Sequence, residues 1–282
     1  MNPTLSHLFR YAREALKDTC SEAEIPDLCR IICMDVFQLT NIDIHLRKNE
    51  PLEESFANKF YAIVERLRTG EPVQYVIGST EFDGRRFNLS RATLIPRPET
   101  AGLVEWAHAC LRSGMRVLDI GTGSGCIAVS LACRCPGAQV DAVDIDPEAV
   151  AVARENAALN GAAVHFFVRD ILRFEEDAWD SYDLIVSNPP YVRESEKAGM
   201  APRVLDHEPA RALFVPDGDP LLFYRAIARF GQRFLKPGGS LLFEINEALG
   251  DETAALLRAE GYTDVELRAD YRGRQRMAGG KR

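Results

Sequence analysis

Long hydrophobic runs are missing from this chain of 282 residues, and no stretch is apolar enough to span a bilayer. Met1 to Arg10 lacks an apolar core, so no signal peptide is expected. Positive charge is in deficit: 34 Lys and Arg stand against 42 Asp and Glu, a net charge of −8. That balance argues against a protein that holds duplex nucleic acid through its phosphates, and no direct nucleic-acid substrate is expected. The basic residues concentrate only mildly, at Arg85, Arg86, Arg91 and Arg97 and again at Arg268, Arg272, Arg274 and Arg276. The seven cysteines contain no CxxC pair, and Cys133 and Cys135 have no second Cys/His pair nearby. No metal site is expected, and an odd count without disulfide-like spacing points to reduced thiols and a cytoplasmic protein. Internal repeats and low-complexity tracts are also absent. What remains is an ordinary globular composition, 46% hydrophobic and 27% charged, of a length that suits one large domain or two smaller ones.

The first seventy residues read as helices. Leu52, Phe56, Phe60, Ile63, Val64 and Leu67 recur at spacings of three and four, one apolar helical stripe, and Gly70 follows as a C-terminal glycine. Leu5–Leu16 and Ile25–Phe37 are helix-like too. This part carries no reactive constellation and is expected to recognise a protein substrate; its boundary is set at residues 1–72. Val73 to Ile77 is rich in β-formers, and Asp83-Gly84 is a turn signal between apolar positions, so residues 73–94 are expected to form a β-hairpin linker.

Residues 95–282 read as an alternation of strands and helices: Val117–Ile120, Ser124–Arg134, Gln139–Val143, Pro147–Asn160, Val164–Val168, Tyr182–Ser187, Pro220–Leu235, Ser240–Ile245, Glu247–Glu260, Thr263–Arg268 and a short strand near Arg276. Such alternation predicts an α/β domain with a mainly parallel sheet covered on both faces.

Asn188-Pro189-Pro190-Tyr191 directly follows the strand Tyr182–Ser187. Proline has a fixed φ and no N–H, so the strand stops and the backbone turns at its carboxyl end, where open α/β sheets place ligands. The Asn188 amide oxygen and the Pro189 carbonyl offer two acceptors, and Tyr191 offers an aromatic face; Pro190 stiffens the turn. Two acceptors and a ring suit a planar –NH2 group. A plain Pro-Pro loop is the bland alternative.

Gly121-Thr122-Gly123-Ser124-Gly125 joins the strand that ends in Asp119-Ile120 to a helix. Its glycines permit close backbone approach to a ligand, but the spacing is not the GxGxxG of a dinucleotide site. Asp144 lies about twenty residues further on, at the next strand end, where an acid grips ribose hydroxyls. Asp170, at a later strand end, is suited to an adenine amino group, with Ile171 packing on the ring. Helix capping accounts for any one of Asp119, Asp144 and Asp170; three acids at successive strand ends suit a nucleoside bearing an amino acid.

With these residues in view, the chain resembles the class I S-adenosylmethionine-dependent methyltransferases, and more closely the peptide-chain release-factor glutamine N5-methyltransferases of the HemK/PrmC family. The likeness rests on Gly70–Gly78, Glu81–Gly84, Ile95-Pro96-Arg97-Pro98-Glu99-Thr100, the glycine loop, Asn188–Tyr191, His207-Glu208-Pro209 with Ala212-Leu213, Pro237–Gly239 and Tyr271–Arg276. It implies a Rossmann-like domain with a seven-stranded sheet, S-adenosylmethionine as cofactor with S-adenosylhomocysteine as product, and class I release factors as partners of a monomeric enzyme. The substrate implied is the glutamine of their Gly-Gly-Gln motif. It assigns Asn188, Pro189 and Tyr191 to catalysis, Asn188 to Tyr191 to substrate binding, and Gly121 to Gly125, Asp144, Asp170, Ile171 and Asn188 to the cofactor. Departures are Ala101, where such sequences often carry an acid, Ile171, where some carry an aromatic residue, and a glycine-rich tail, Met277–Arg282, expected to fray. Two other readings stay open: an N6-adenine methyltransferase acting on a flipped base, and a non-catalytic nucleotide-binding protein of the same fold.

Overall fold

The computed structural model describes residues 3–282, and the chain divides into two compact units. The first unit spans residues up to Ser79 and takes in Ala201–His207; the second holds Thr80–Met200 and Glu208–Arg282. The division therefore falls several residues beyond position 72, and a short segment returns to the first unit late in the chain.

The first unit contains α1 (Leu5–Leu16), α2 (Glu24–Ile31), α3 (Asn41–Leu46), α4 (Glu54–Arg68) and α5 (Val73–Ile77). The Thr4 hydroxyl caps α1 by accepting the His7 N–H at 3.2 Å. Leu5, Leu8, Ala12 and Leu16 of α1 bury against Phe60, Val64 and Leu67 of α4, each side one turn apart. After α2 the chain loosens into a π-helical stretch at Ile32–Val36, which accounts for the longer helical pattern in the sequence. One helix here had no separate signal in the sequence, and one local expectation fails. The short α3, capped by Thr40 and Asp43, buries none of its residues and so leaves no apolar stripe to read. Val73–Ile77 is a helix rather than a strand: Pro72 starts it, Gly78 ends it at φ +82°, and Val73 and Val76 join the helical core three residues apart. Burial of that face outweighs the preference of valine and isoleucine for strands. Arg203, in the returning segment, pairs with Glu24 at 2.7 Å.

The hairpin of β1 (Ser79–Phe82) and β2 (Arg85–Asn88) follows, in the second unit from Thr80 on, turned at Asp83-Gly84 with both residues at positive φ. The chain then runs through α6 (Thr100–Cys110), β3 (Arg116–Ile120), α7 (Cys126–Arg134), β4 (Gln139–Asp144), α8 (Pro147–Leu159), β5 (Val164–Val168), β6 (Tyr182–Ser187) and β7 (Val192–Arg193). Beyond α9 (Pro202–Leu205), in the returning segment, come α10 (Ala210–Leu213), β8 (Phe214–Val215), α11 (Leu222–Phe234), β9 (Leu235–Glu244), α12 (Gly250–Ala259), β10 (Thr263–Ala269) and β11 (Gln275–Lys281).

Seven strands form one sheet in the order β10-β11-β9-β6-β3-β4-β5. From β9 to β5 neighbours are parallel, and β11 runs antiparallel to β9 and β10. Alternation along the strands sends Val117, Leu184, Val186 and Leu242 to one face, under α6, α7 and α8. Leu118, Ile120, Ile185, Leu241 and Phe243 fill the other face with Tyr224, Ile227 and Phe230 of α11. The tail expected to fray is β11, paired on both edges. Its glycines are what allow this: a Cβ on Gly279 would meet Leu242 Cδ2 at 2.6 Å and the Trp106 ring at 2.8 Å.

From β3 the chain winds outward through β4 and β5, then crosses back to β6 on the other side of β3. The carboxyl ends of β3 and β6 therefore diverge, and a crevice opens between the loops that follow them.

Candidate active site

That crevice is a cavity lined by Gly121, Thr122, Gly123 and Ser124 after β3, by Asp144, Ile145 and Asp146 after β4, and by Asp170, Ile171 and Leu172 after β5. Asn188, Pro189 and Pro190 after β6 line it too, with Pro96 and Arg97 ahead of α6 and Thr100 at its first position. Gly125 and Tyr191 are outside the lining.

Gly121, Gly123 and Gly125 all have positive φ, so the loop alternates through a backbone region that side chains disfavour. Its shape is held from three sides. The Gly121 and Thr122 N–H groups donate to the Val143 carbonyl at 2.9 and 3.0 Å. The Asp144 carboxylate accepts Gly123 N–H at 2.9 Å and Asp146 N–H at 3.0 Å. Buried Asn156 donates to the Ser124 carbonyl at 2.8 Å and to the Asn88 carbonyl at 2.9 Å, tying α8 to both the loop and the hairpin.

The acids at the strand ends divide into different jobs. Asp144 faces the cavity, and burial raises its carboxyl above the ordinary range against the pull of the Asp146 and Gly123 N–H groups. Asp170 lines the cavity and also caps the turn after it, accepting Leu172 N–H at 2.9 Å. Asp119 is not on the ligand side. It is fully buried, accepting the Thr122 hydroxyl at 2.6 Å and Ala128 N–H at 3.2 Å, so it braces the loop from beneath. The reason is register: Asp119 sits one residue inside the strand end, and its side chain turns into the structure.

Burial pushes the Asp119 carboxyl from 3.8 up to about 7, with only partial relief from its two donors. The native state therefore holds this proton more tightly than the unfolded chain does. The stability linked to it is complete below about pH 4 and is lost as the pH rises through about 7. Asp119→Asn carries no titrating group, so the wild-type melting temperature is expected to fall relative to the variant's between pH 4 and 8. Parallel melting curves across that range would show that Asp119 does not carry the effect.

The β6 turn is equally constrained. Ser187 donates to the Ile120 carbonyl at 2.7 Å, joining the ends of β3 and β6, and a Cβ on Gly121 would lie 4.0 Å from the Asn188 carbonyl oxygen. Asn188 Nδ2 donates to Thr100 Oγ1 at 3.4 Å. Tyr191 turns from the cavity towards the end of β9, where its hydroxyl donates to Glu244 Oε1 at 3.2 Å. Burial pushes that phenol well above its usual range, so it stays protonated.

Several residues at this site were given no role there by the sequence. Arg97 projects into the cavity and is held by the buried Glu208 at 2.7 Å, a pair 111 positions apart. Ile145 and Leu172 line the cavity while remaining 45% and 42% exposed, so they have apolar surface to offer a ligand. Glu244 is buried at the end of an apolar strand. An acid closing the run Leu241-Leu242-Phe243 was a signal of the same kind as Asp144. Among the described residues no cluster of His, Cys, Asp and Glu is placed to hold a metal, and no helix is long and apolar enough to cross a membrane.

A seven-stranded sheet with this crossover and a glycine-lined crevice at its switch point defines a class I methyltransferase. The methyltransferase small domain family matches residues 103–224, and the PrmC N-terminal domain family matches residues 7–78. A release factor glutamine methyltransferase from Bacteroides thetaiotaomicron is 44% identical over 273 residues, 97% of this chain and 98% of that protein. One from Flavobacterium psychrophilum is 41% identical over 269 residues, 94% of each chain. A methyltransferase structure from Pyrococcus furiosus shares the fold at 20% identity and a TM-score of 0.52, covering 71% of this chain and 89% of that one. The chain belongs to the release factor glutamine methyltransferase family.

Proposed function

We propose that the chain transfers a methyl group from S-adenosylmethionine to the side-chain amide nitrogen of the glutamine in the Gly-Gly-Gln motif of class I peptide-chain release factors. The observation that carries the proposal is the placement of the Asn188 amide: its nitrogen faces Thr100 Oγ1 at 3.4 Å, which leaves Oδ1 as an acceptor at a cavity that the glycine loop also lines.

The residues present fit the cofactor. The glycine loop brings bare backbone to the cavity, Asp144 offers carboxylate oxygens for ribose hydroxyls, and Asp170 offers an acceptor for an adenine amino group. Ile145, Ile171 and Leu172 supply apolar surface for the ring. When bound, S-adenosylmethionine contributes an electrophilic methyl group on a sulfonium centre. An amide nitrogen is a weak nucleophile, since its lone pair is delocalised, and no strong base stands beside Asn188. The chain's part is positioning. Asn188 Oδ1 and the Pro189 carbonyl accept the two amide N–H bonds, which aims the nitrogen and favours positive charge developing on it. Pro190 stiffens the turn, so the acceptors are preorganised. Tyr191 supports the turn from behind rather than packing on the amide plane. The helical first unit recognises the release factor, and the cytoplasm is where that substrate is met.

Radiolabelled methyl transfer to a purified release factor, with a Gly-Gly-Glu variant and DNA as controls, tests the reading. Label on the glutamine alone is expected; label on DNA, or none on the release factor, overturns it.

Asp144→Ala is expected to weaken S-adenosylhomocysteine binding by about 1.5–3 kcal/mol, through loss of a charge-assisted hydrogen-bond pair. The same carboxylate holds Gly123 and Asp146, so Asp144→Asn is the cleaner partner variant, keeping shape and one acceptor. Calorimetric titration measures both. Unchanged affinity in folded Asp144→Ala protein removes the residue from the site.

A further inference from the structure

We propose that Glu244 and Thr100 are positioning residues that set which end of the Asn188 amide faces the substrate. The inference rests on the functional reading above, which needs Oδ1, and not the amide nitrogen, pointing at the reacting amide.

The argument is one of donors and acceptors. Glu244 is 1% exposed at the end of β9. One carboxylate oxygen accepts the Thr100 hydroxyl at 2.6 Å, and the other accepts the Tyr191 hydroxyl at 3.2 Å. A carboxylate has no proton to give, so the single hydroxyl proton of Thr100 is committed to Glu244. Thr100 Oγ1 then shows only lone pairs to its other neighbour, 3.4 Å away, which is the Asn188 side chain. Only the –NH2 end of that amide can meet a lone pair. Oδ1 must point the other way, into the cavity. The order Asn188 to Thr100 to Glu244 is thus a one-way chain, and the buried charge at its end gives it direction.

The reverse chain is chemically possible and shows what the charge does. A neutral donor at position 244 hands its proton to Thr100, Thr100 then donates towards position 188, and the Asn188 amide turns over. The substrate would face an –NH2 group in place of an acceptor. Both hydroxyls donate to Glu244 and neither accepts from it, which is the forward direction. Burial is the largest influence on its carboxyl and raises it above the usual range; Glu99 adds to that rise, and the two hydroxyls and the Arg276 guanidinium draw it back. Asn246, two residues after Glu244, donates to the Tyr191 carbonyl at 3.2 Å, so the far side of the turn is fastened to the same strand end.

Three variants test this. Glu244→Gln places an amide where the carboxylate was and lets the chain reverse. Thr100→Val removes the hydroxyl and keeps the shape. Thr100→Ser keeps the hydroxyl. Single-turnover methylation of a release factor is expected to slow about 10- to 100-fold in Glu244→Gln and Thr100→Val, as for a displaced orienting contact. Thr100→Ser should retain most of the rate, and S-adenosylhomocysteine affinity should stay within about threefold in all three, the mark of a loss confined to the chemical step. Wild-type rates in folded Thr100→Val and Glu244→Gln overturn the inference. If Glu244→Gln fails to fold, the Val and Ser pair at position 100 still decides it.

A readout free of turnover separates this inference from the functional reading. The Asn188 side-chain amide should give a shifted, slowly exchanging pair of ¹⁵N–¹H signals in the wild type and in Thr100→Ser, and lose that signature in Thr100→Val. Signals indifferent to Thr100→Val overturn the chain of bonds. Those shifts in a wild type that methylates no release factor support the chain of bonds and sink only the choice of substrate.

Discussion

Asn188→Ala is expected to give a folded protein that still binds S-adenosylhomocysteine but methylates release factor at least about 100-fold more slowly than the wild type, because the acceptor that aims the nucleophile is gone. Folding should survive, since Asn188 is only half-buried on the ligand-facing turn and its one side-chain bond, to Thr100, is long at 3.4 Å. Asn188→Asp is the more informative change. It keeps an acceptor towards the substrate, yet it has no proton for Thr100, whose own proton is given to Glu244. One carboxylate oxygen then faces lone pairs, and the group is pushed off its mark. Partial activity is expected from Asp and almost none from Ala. A purely structural asparagine predicts the opposite pattern: both variants melt earlier and turn over normally per folded molecule. Melting temperature measured beside single-turnover methylation separates the two, and full turnover in folded Asn188→Ala protein ends the positioning mechanism.

Gly125→Val is expected to cost stability and cofactor binding together. Gly125 sits at φ +81° at the mouth of α7, and a Cβ there would lie 3.0 Å from Ala153 Cβ and 3.3 Å from Ala153 Cα on α8. A β-branched residue meets both a disfavoured backbone region and a backbone that cannot yield, together worth about 2–4 kcal/mol. The strain has nowhere to go except the glycine loop. Ser124, the neighbour of Gly125, is bonded to Asn156 of the same helix, so pushing α8 away drags on the loop through that bond. Urea denaturation and calorimetric titration with S-adenosylhomocysteine should both register the change. A variant with wild-type stability and affinity would show that the close approach of α7 and α8 is not what shapes the loop.

Local patterns announce themselves in this sequence, and pairings across the chain do not. The strand ending at Asn188-Pro189-Pro190 was legible because two prolines forbid any continuation, and the glycine loop because alternate glycines have few other uses at a strand end. The stripe of α4 was legible because each apolar residue falls on one face. Val73–Ile77 misled because β-branched residues also pack well in a short buried helix, and the tail misled because glycines that look like slack are the ones that let β11 lie against Leu242 and Trp106. Asp119 was read with Asp144 and Asp170, yet a shift of one position along the strand turns it inward, where it props up the loop.

By itself, the sequence determined the alternation of strands and helices and the two loops that make the crevice, and it offered a pair of acceptors suited to a planar –NH2 group. These follow from backbone restrictions at proline and glycine and from apolar spacing, all of which act within a few residues. Only the tertiary structure decided which way the Asn188 amide points. That depends on Thr100, 88 positions away, and on Glu244, 144 positions beyond Thr100. A hydrogen-bond chain has a direction only when its last member is known, and the fold alone brings that buried carboxylate to the back of the turn.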